Sequence, residues 1–172
     1  MSIKITTKTA GASFSRTDFL IVFAMKGRKI QLPAGVVLPA NSMDCFAAQA
    51  REMRVTDALE GKATRVLLVG LGGKEDISEE SLRRVAAMAF KQAEQAGSGS
   101  VSVWVDLPFG RRSSGFGQAI AEGLVMGSYR LADFKSTAPP ASTKRIVLYA
   151  ERSFNAGVRR GHAIGTANLL AR

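Results

Sequence analysis

The chain has 172 residues, enough for one domain with a buried core, and 46% of them are hydrophobic, as in ordinary globular proteins. It has no apolar run of about 18 residues, which excludes a membrane span, and residues 1–6 lack the apolar core of a signal peptide. With one cysteine and one histidine it can form neither an internal disulfide nor a zinc site of Cys and His ligands, so we expect a cytoplasmic protein.

The net charge of +10 is the unusual feature of the composition, and it is unevenly distributed. Residues 101–172 contain ten Arg or Lys and four Asp or Glu, a net charge of +6 for that part of the chain. A basic half is typical of proteins that bind a polyanion, but it also serves solubility.

The first third of the chain predicts strands separated by irregular segments. Residues 3–9 alternate apolar and polar side chains, which indicates a half-exposed strand at a sheet edge. Residues 18–25 form a continuous apolar run, typical of a central strand. Residues 30–41, with two prolines and a glycine, predict a loop or short hairpin. A short helix over 42–51 and a strand over 54–59 complete this part.

The central part of the chain predicts a strand, a turn and a helix. Residues 66–69 are all apolar and indicate a strand buried on both faces, and residues 70–73 turn because they contain three glycines. Ser78 is the expected N-cap of a helix. The apolar face of this helix recurs at helical spacing: Leu82, Val85, Ala86, Ala89, Phe90 and Ala93. Strands over 101–107 and 145–150 follow, the first completing a βαβ unit with a right-handed crossover.

The glycine-rich turn does not match a nucleotide-binding motif. Gly70 and Gly72 fit the first two positions of G-x-G-x-x-G, but Glu75 takes the third. A phosphate-binding P-loop would need glycine in place of Leu68 and Ser or Thr in place of Glu75. Glu75 and Asp76 would also repel a phosphate at the helix entry. A structural turn is therefore favoured over a phosphate cradle.

Two more helices are predicted near the C-terminus. The helix over 116–131 carries Gly123 and Gly127, four residues apart, which permits close packing against a neighbour. Ser153 is the expected cap of a last helix over 154–171. That helix has no glycine or proline stop signal, so we expect it to continue towards a further domain.

The residues predict no catalytic, metal or cofactor site. A two-metal hydrolase needs several convergent carboxylates, whereas the acids here are scattered. Glu79 and Glu80 match the dipole at a helix start, and Glu122 is expected to be solvated. His162 is predicted to be a surface or interdomain residue, and Cys45 a small buried apolar residue.

Arg111 and Arg112 are the candidate contacts for an anion or a nucleic acid. They directly precede the helix predicted from Phe116, which Ser113 or Ser114 is expected to cap. Arginine is unfavourable at a helix N-terminus, and an anion bound between the arginines and the free N–H groups would relieve that conflict. The alternative is a solvated loop.

Three segments together resemble the N-terminal domain of the leucine (cytosol) aminopeptidase family: residues 65–72 with 81–84, residues 121–131 with 134–136, and residues 161–172. The resemblance covers roughly residues 60–172. It implies an α/β, macro-domain-like three-layer fold, with a mixed β-sheet and helices on both faces. It also implies an N-terminal domain over 1–150, with 151–172 beginning a helix that links to a C-terminal catalytic domain.

The same resemblance implies a non-catalytic domain that serves assembly and substrate access. In the family the later domain binds two divalent metal ions (zinc, manganese or magnesium) and releases N-terminal amino acids from peptides. The family's metal ligands and catalytic residues belong to that later domain, so no catalytic, metal or cofactor residue is carried over to this chain. The expected partners are the protein's own catalytic domain and further copies in a homo-hexamer.

Two alternatives remain open from the sequence. The basic C-terminal half would suit a nucleic-acid-binding module, and some proteins that share the resemblance bind DNA through this region. Few aromatic residues lie among the basic ones, which argues against stacking on single strands. A macro-like fold also implies ADP-ribose or a related nucleotide as ligand, although fold alone is weak grounds for a function.

Overall fold

A computed structural model describes residues 3–129, 143 and 145–171. Its main feature is a six-stranded sheet made of β1 Lys4–Thr9, β2 Thr17–Ala24, β4 Met53–Asp57, β6 Ala63–Gly70, β7 Ser100–Trp104 and β8 Arg145–Ala150. A separate two-stranded ladder pairs β3 Val36–Val37 with β5 Glu60–Gly61. Three α-helices complete the fold: α1 Glu79–Gln95, α2 Ser113–Gly127 and α3 Asn155–Leu170.

The sheet is mixed, with the order β1-β8-β7-β2-β6-β4. β2 and β6 pair in parallel at its centre, and their apolar runs are buried on both faces, as the sequence predicts. β4 runs antiparallel to β6 and forms one edge. β1 forms the other edge, pairs in parallel with β8, and has the partly exposed pattern expected of an edge strand.

The predicted βαβ unit is present, but its two strands are not neighbours. β6 and β7 both pair in parallel with β2, which lies between them. The connection through α1 therefore passes over β2. A strand that comes earlier in the chain has been inserted into the unit, and local sequence pattern contains no information about such an insertion.

The three α-helices form one layer against one face of the sheet. All six residues of the predicted apolar face of α1 are buried there, together with Ile120 and Leu124 of α2 and Phe154 just before α3. On the sheet, Ile21 and Leu67 point into this same core. The predicted α1 face is therefore confirmed, and α1 gains its stability by burying it.

The opposite face of the sheet is covered by irregular segments and the small ladder. Its core is centred on three aromatic rings, with 5.1 Å between the centroids of Phe14 and Tyr149 and 5.9 Å between those of Trp104 and Tyr149. The Tyr149 hydroxyl accepts a hydrogen bond from the Ser15 N–H at 3.0 Å. This fixes the N-terminal loop over the ring and satisfies a buried hydroxyl.

The α/β class and the mixed sheet are confirmed, and both faces of the sheet are covered. Among the described residues, however, the α-helices share one face. The segment that covers the other face contains Pro33 and Pro39, which interrupt a helical hydrogen-bond ladder. The short helix predicted over 42–51 is wrong, because the structure has only a 3-10 turn at Ala40–Ser42. Ala48 and Arg51 there have positive φ angles of 51° and 67°.

Helix starts show which capping predictions hold. Ser78 caps α1, accepting a hydrogen bond from the Ser81 N–H at 3.1 Å, as predicted. The predicted caps of the later helices are wrong. Ser113 donates to the Gly110 carbonyl at 2.7 Å, and Ser153 donates to a Glu151 carboxylate oxygen at 3.2 Å. Both helices continue directly from a 3-10 turn, so their first residues already have helical dihedrals, unlike an N-cap residue.

Candidate functional site

The carboxyl ends of five parallel strands meet at one edge of the sheet, where open α/β sheets bind their ligands. Three loops follow neighbouring strands there: 25–29 after β2, 71–78 after β6, and 105–112 after β7. The glycine-rich turn and the Arg111–Arg112 pair both lie in this set of loops. The edge is therefore the place where a small-molecule site would be expected in this fold.

The glycine-rich turn has a structural role within this edge. Gly72 has a φ of 78°, and the Gly73 N–H donates to an Asp76 carboxylate oxygen at 2.8 Å. The Asp76 carboxylate thus already accepts the hydrogen bond from the backbone N–H that a bound phosphate would need. A Cβ atom at Gly70 would overlap the Gln49 carbonyl oxygen, so glycine allows the loop before β4 to approach. This geometry supports the predicted structural turn.

Arg111 and Arg112 lie on the 3-10 turn Gly110–Arg112 and have different surroundings. The Arg112 guanidinium lies 4.3 Å from the centroid of the Phe116 ring and donates to the Ile77 carbonyl at 3.1 Å. Both residues are exposed, but Arg112 lines a cavity of about 150 Å³ and Arg111 does not. Anion or nucleic-acid contact by this pair stays a prediction, but only Arg112 is held in a defined position.

The acids of the described residues do not converge. Within residues 3–129, 143 and 145–171, no group of three His, Cys, Asp or Glu side chains is placed to hold a metal ion. Asp106 is exposed at the end of β7, and Glu79 and Glu80 lie in the first turn of α1 as expected. Asp133 lies outside the described residues.

Glu122 is the exception to the expectation of solvated acids, and for this residue the prediction is wrong. It is 7% exposed and accepts a hydrogen bond from Arg83 Nε at 2.7 Å, so it bridges α2 to α1. Gln118 donates to its other carboxylate oxygen at 2.8 Å. Helical spacing could not indicate this burial, because the partner arginine lies on another helix, 39 residues earlier in the chain.

Ion pairs link Glu80, Arg83, Arg84 and Glu122 into one charged cluster on α1 and α2. Two groups of this cluster have shifted pKa values. Hydrogen bonds from Arg84 and then Arg83 lower the pKa of Glu80, which keeps this carboxylate ionised in mildly acidic solution. Partial burial by itself would lower the pKa of Arg83. The hydrogen bonds that Arg83 donates to Glu122 and Glu80 outweigh this effect, so that the pKa of Arg83 is raised. The cluster stabilises the contact between α1 and α2 rather than presenting charge to a ligand.

Glu122→Ala is expected to lower the free energy of unfolding by about 2 kcal/mol, because it removes the buried acceptor of Arg83 and Gln118. The matched control is Glu80→Ala, which removes the exposed partner of the same arginine and is expected to cost much less, because solvent screens an exposed ion pair. Urea unfolding of both variants measures the difference. Equal effects of the two substitutions would show that burial of Glu122 adds nothing to the stability that its pair with Arg83 provides.

The remaining candidate nucleophile and base have different surroundings. Cys45 is exposed, so the prediction of a buried apolar residue is wrong. His162 is partly buried on α3, and its Nε2 lies 2.8 Å from the Ile3 carbonyl oxygen. The histidine thereby ties the last helix to the N-terminal strand, which is a structural role.

α3 packs closely on α2 through glycines four residues apart. Cβ atoms at Gly157 and Gly161 would overlap the carbonyl oxygens of Ser114 and Gln118, and Gly165 faces Val125. The outer face of α3 is partly apolar. Ile164 is 42% exposed there and Leu170 is 84% exposed. The glycine spacing of α3, like that of α2, is the sequence signal of this close approach.

Comparison with known proteins matches the chain to the N-terminal part of one family of proteins. The model of the N-terminal domain of the cytosol aminopeptidase family matches residues 29–138, more than half of the chain. A probable cytosol aminopeptidase of Pseudomonas fluorescens is 27% identical over 98% of this chain and 37% of its own length. One of Alkalilimnicola ehrlichii is 30% identical over 75% of this chain and 28% of its own length.

Solved structures show the same fold. A mutant of tomato leucine aminopeptidase superposes with a TM-score of 0.74 at 16% identity, over 99% of this chain and 37% of that chain. The bottromycin maturation enzyme BotP superposes with a TM-score of 0.66 at 24% identity, over 90% of this chain and 32% of that chain. The chain thus spans between 28% and 37% of the length of these four relatives.

Proposed function

The chain belongs to the cytosol aminopeptidase family through that family's N-terminal domain, and on this premise we propose that it is the non-catalytic N-terminal domain of a leucyl aminopeptidase. The family match over residues 29–138 carries the proposal. The parent protein would be a cytoplasmic two-metal exopeptidase that releases N-terminal amino acids from peptides. Its zinc, manganese or magnesium ions and its catalytic residues would belong to a C-terminal domain. In support, this chain matches only 37% of the length of the Pseudomonas fluorescens relative, which leaves room for such a domain in that protein.

The domain would contribute to assembly and substrate access through its helix layer. α3 is the described element nearest the C-terminus, and its outer face carries Ile164 and the 84% exposed Leu170. Burying such side chains is favourable by about 25 cal/mol per Å² of apolar surface. We propose that this face packs against the catalytic domain within a homo-hexamer. The predicted boundary at residue 150 stays a prediction, since α3 also packs on α2 within this domain.

The alternative function, nucleic-acid binding by the basic C-terminal half, gains no support from the proteins named above. Their names describe aminopeptidases and a maturation enzyme. The aminopeptidase domain therefore remains the function with the most direct support.

No helix in the described part of the chain is long and apolar enough to cross a membrane.

The isolated 172-residue chain is expected to show no peptidase activity. The physical reason is that a two-metal mechanism needs convergent carboxylates, and the described acids do not converge. The measurement is release of chromophore from an aminoacyl chromogenic substrate with added manganese or zinc. A complete leucine aminopeptidase under the same conditions is the positive control. Turnover that survives purification and is lost in Asp106→Asn or Glu122→Gln would contradict the proposal.

A further inference from the structure

The cavity that Arg112 lines is the most chemically distinctive one at the carboxyl edge of the sheet. Its volume is about 150 Å³, and its cationic side chains come from three separate segments: Arg28 after β2, Lys74 after β6, and Arg112 after β7. These strands are neighbours, in the order β7-β2-β6. Because their carboxyl ends meet, the fold brings together three positive charges that are far apart in the sequence.

The positive charge around this cavity has no carboxylate partner among the described residues. No acid is among the described residues that line the cavity. Within the described residues, neither Arg28 nor Lys74 has a side-chain hydrogen bond or an ion pair. Of the two acids near Lys74 that would repel a phosphate at this loop, Asp76 accepts a hydrogen bond from the Gly73 N–H, and Glu75 is an exposed residue outside the lining of the cavity. Three cations that line one cavity repel one another, and a bound anion would relieve that repulsion.

Arg112 is already oriented for binding. Its guanidinium stacks on Phe116 at 4.3 Å from the ring centroid and spends one N–H on the Ile77 carbonyl. A guanidinium has five N–H donors, so most of them remain for a ligand. α2 begins at the next residue with no acid in its first turn, and the positive end of its dipole adds to the potential here.

The floor of the cavity is apolar and aromatic. Phe109 and Phe116 meet edge to face with their centroids 4.7 Å apart, and Met25 lies beside them. A free inorganic anion would leave this surface unused. A phosphate ester with a small flat or apolar group would use both the cations and the partly exposed ring of Phe109, since Phe116 is buried beneath Arg112.

From this arrangement we propose that the cavity lined by Arg28, Lys74 and Arg112 binds the phosphate group of a small phosphomonoester. The site is independent of the proposed aminopeptidase assignment. Arg111, the other member of the predicted pair, would have no part in binding, which supplies a matched control.

The test is calorimetric titration of the 172-residue chain with phenyl phosphate. We expect saturable binding at one site with a dissociation constant of about 1 mM or tighter. Arg28→Ala and Lys74→Ala, which remove exposed and unpartnered side chains, are each expected to weaken binding by about fivefold or more. Arg111→Ala is expected to change it by less than about twofold. Thermal melting confirms that each variant is folded.

Two results would overturn the proposal. One is the absence of saturable heat at about 20 mM phenyl phosphate, well above the expected dissociation constant. The other is an Arg111→Ala effect equal to that of Arg28→Ala, which would indicate diffuse attraction to a basic surface. Duplex DNA distinguishes the source of the phosphate. Displacement of phenyl phosphate by DNA would overturn the assignment to a small molecule, and a lack of displacement supports it. Since no peptidase activity is measured, this test is separate from that of the proposed function.

Discussion

Leu68→Ala and Phe90→Ala are each expected to lower the free energy of unfolding by about 2–5 kcal/mol. Both side chains are fully buried, but on opposite faces of the sheet. Leu68 points into the core beneath the irregular segments, and Phe90 points from α1 into the core beneath the helices. Each substitution removes apolar contacts and leaves a cavity that close-packed neighbours fill only in part.

Urea unfolding monitored by circular dichroism measures both variants, and Lys91→Ala is the control, since Lys91 is the exposed neighbour of Phe90 on α1. The control is expected to change stability by less than about 0.5 kcal/mol. If Leu68→Ala resembled the control while Phe90→Ala did not, the face covered by loops would not contribute a true core. If neither differed from the control, the assignment of both cores would be wrong.

The elements that sequence predicts well here are those that local pattern determines. The apolar run of β6 and the 3.6-residue period of α1 each need only a short window of residues, and the structure confirms both. Ser78 is a sufficient local signal for the start of α1, because Ser78 itself has the extended backbone conformation of an N-cap residue.

The features that sequence misses depend on residues far apart in the chain. The insertion of β2 between β6 and β7, the burial of Glu122 against Arg83, and the convergence of Arg28 with Arg112 all follow from topology. Local sequence identifies Arg112 as a candidate anion contact, but Arg28 and Lys74 join it only in the folded chain.

Gly157→Ala and Gly161→Ala are each expected to destabilise the protein by about 3 kcal/mol, at the upper end of the range for overpacking. In an isolated helix the same change would stabilise by up to about 1 kcal/mol, because alanine has the higher helix propensity. Here the added Cβ would overlap the Ser114 or Gln118 carbonyl oxygen, and a backbone oxygen cannot move aside without shifting α2. The packing term therefore outweighs propensity and reverses the sign.

Gly11→Ala is the matched control for this experiment, because a Cβ atom there meets nothing within 4 Å and its φ is not positive. We expect it to be neutral or to stabilise the protein by up to about 1 kcal/mol, because alanine restricts the unfolded chain more than glycine does. Urea unfolding gives all three values. Stabilisation by Gly157→Ala or Gly161→Ala would mean that α3 is not seated on α2 in solution. In that case the outer face of α3 proposed to contact the catalytic domain would also have no fixed position, since the same glycines hold the helix in place.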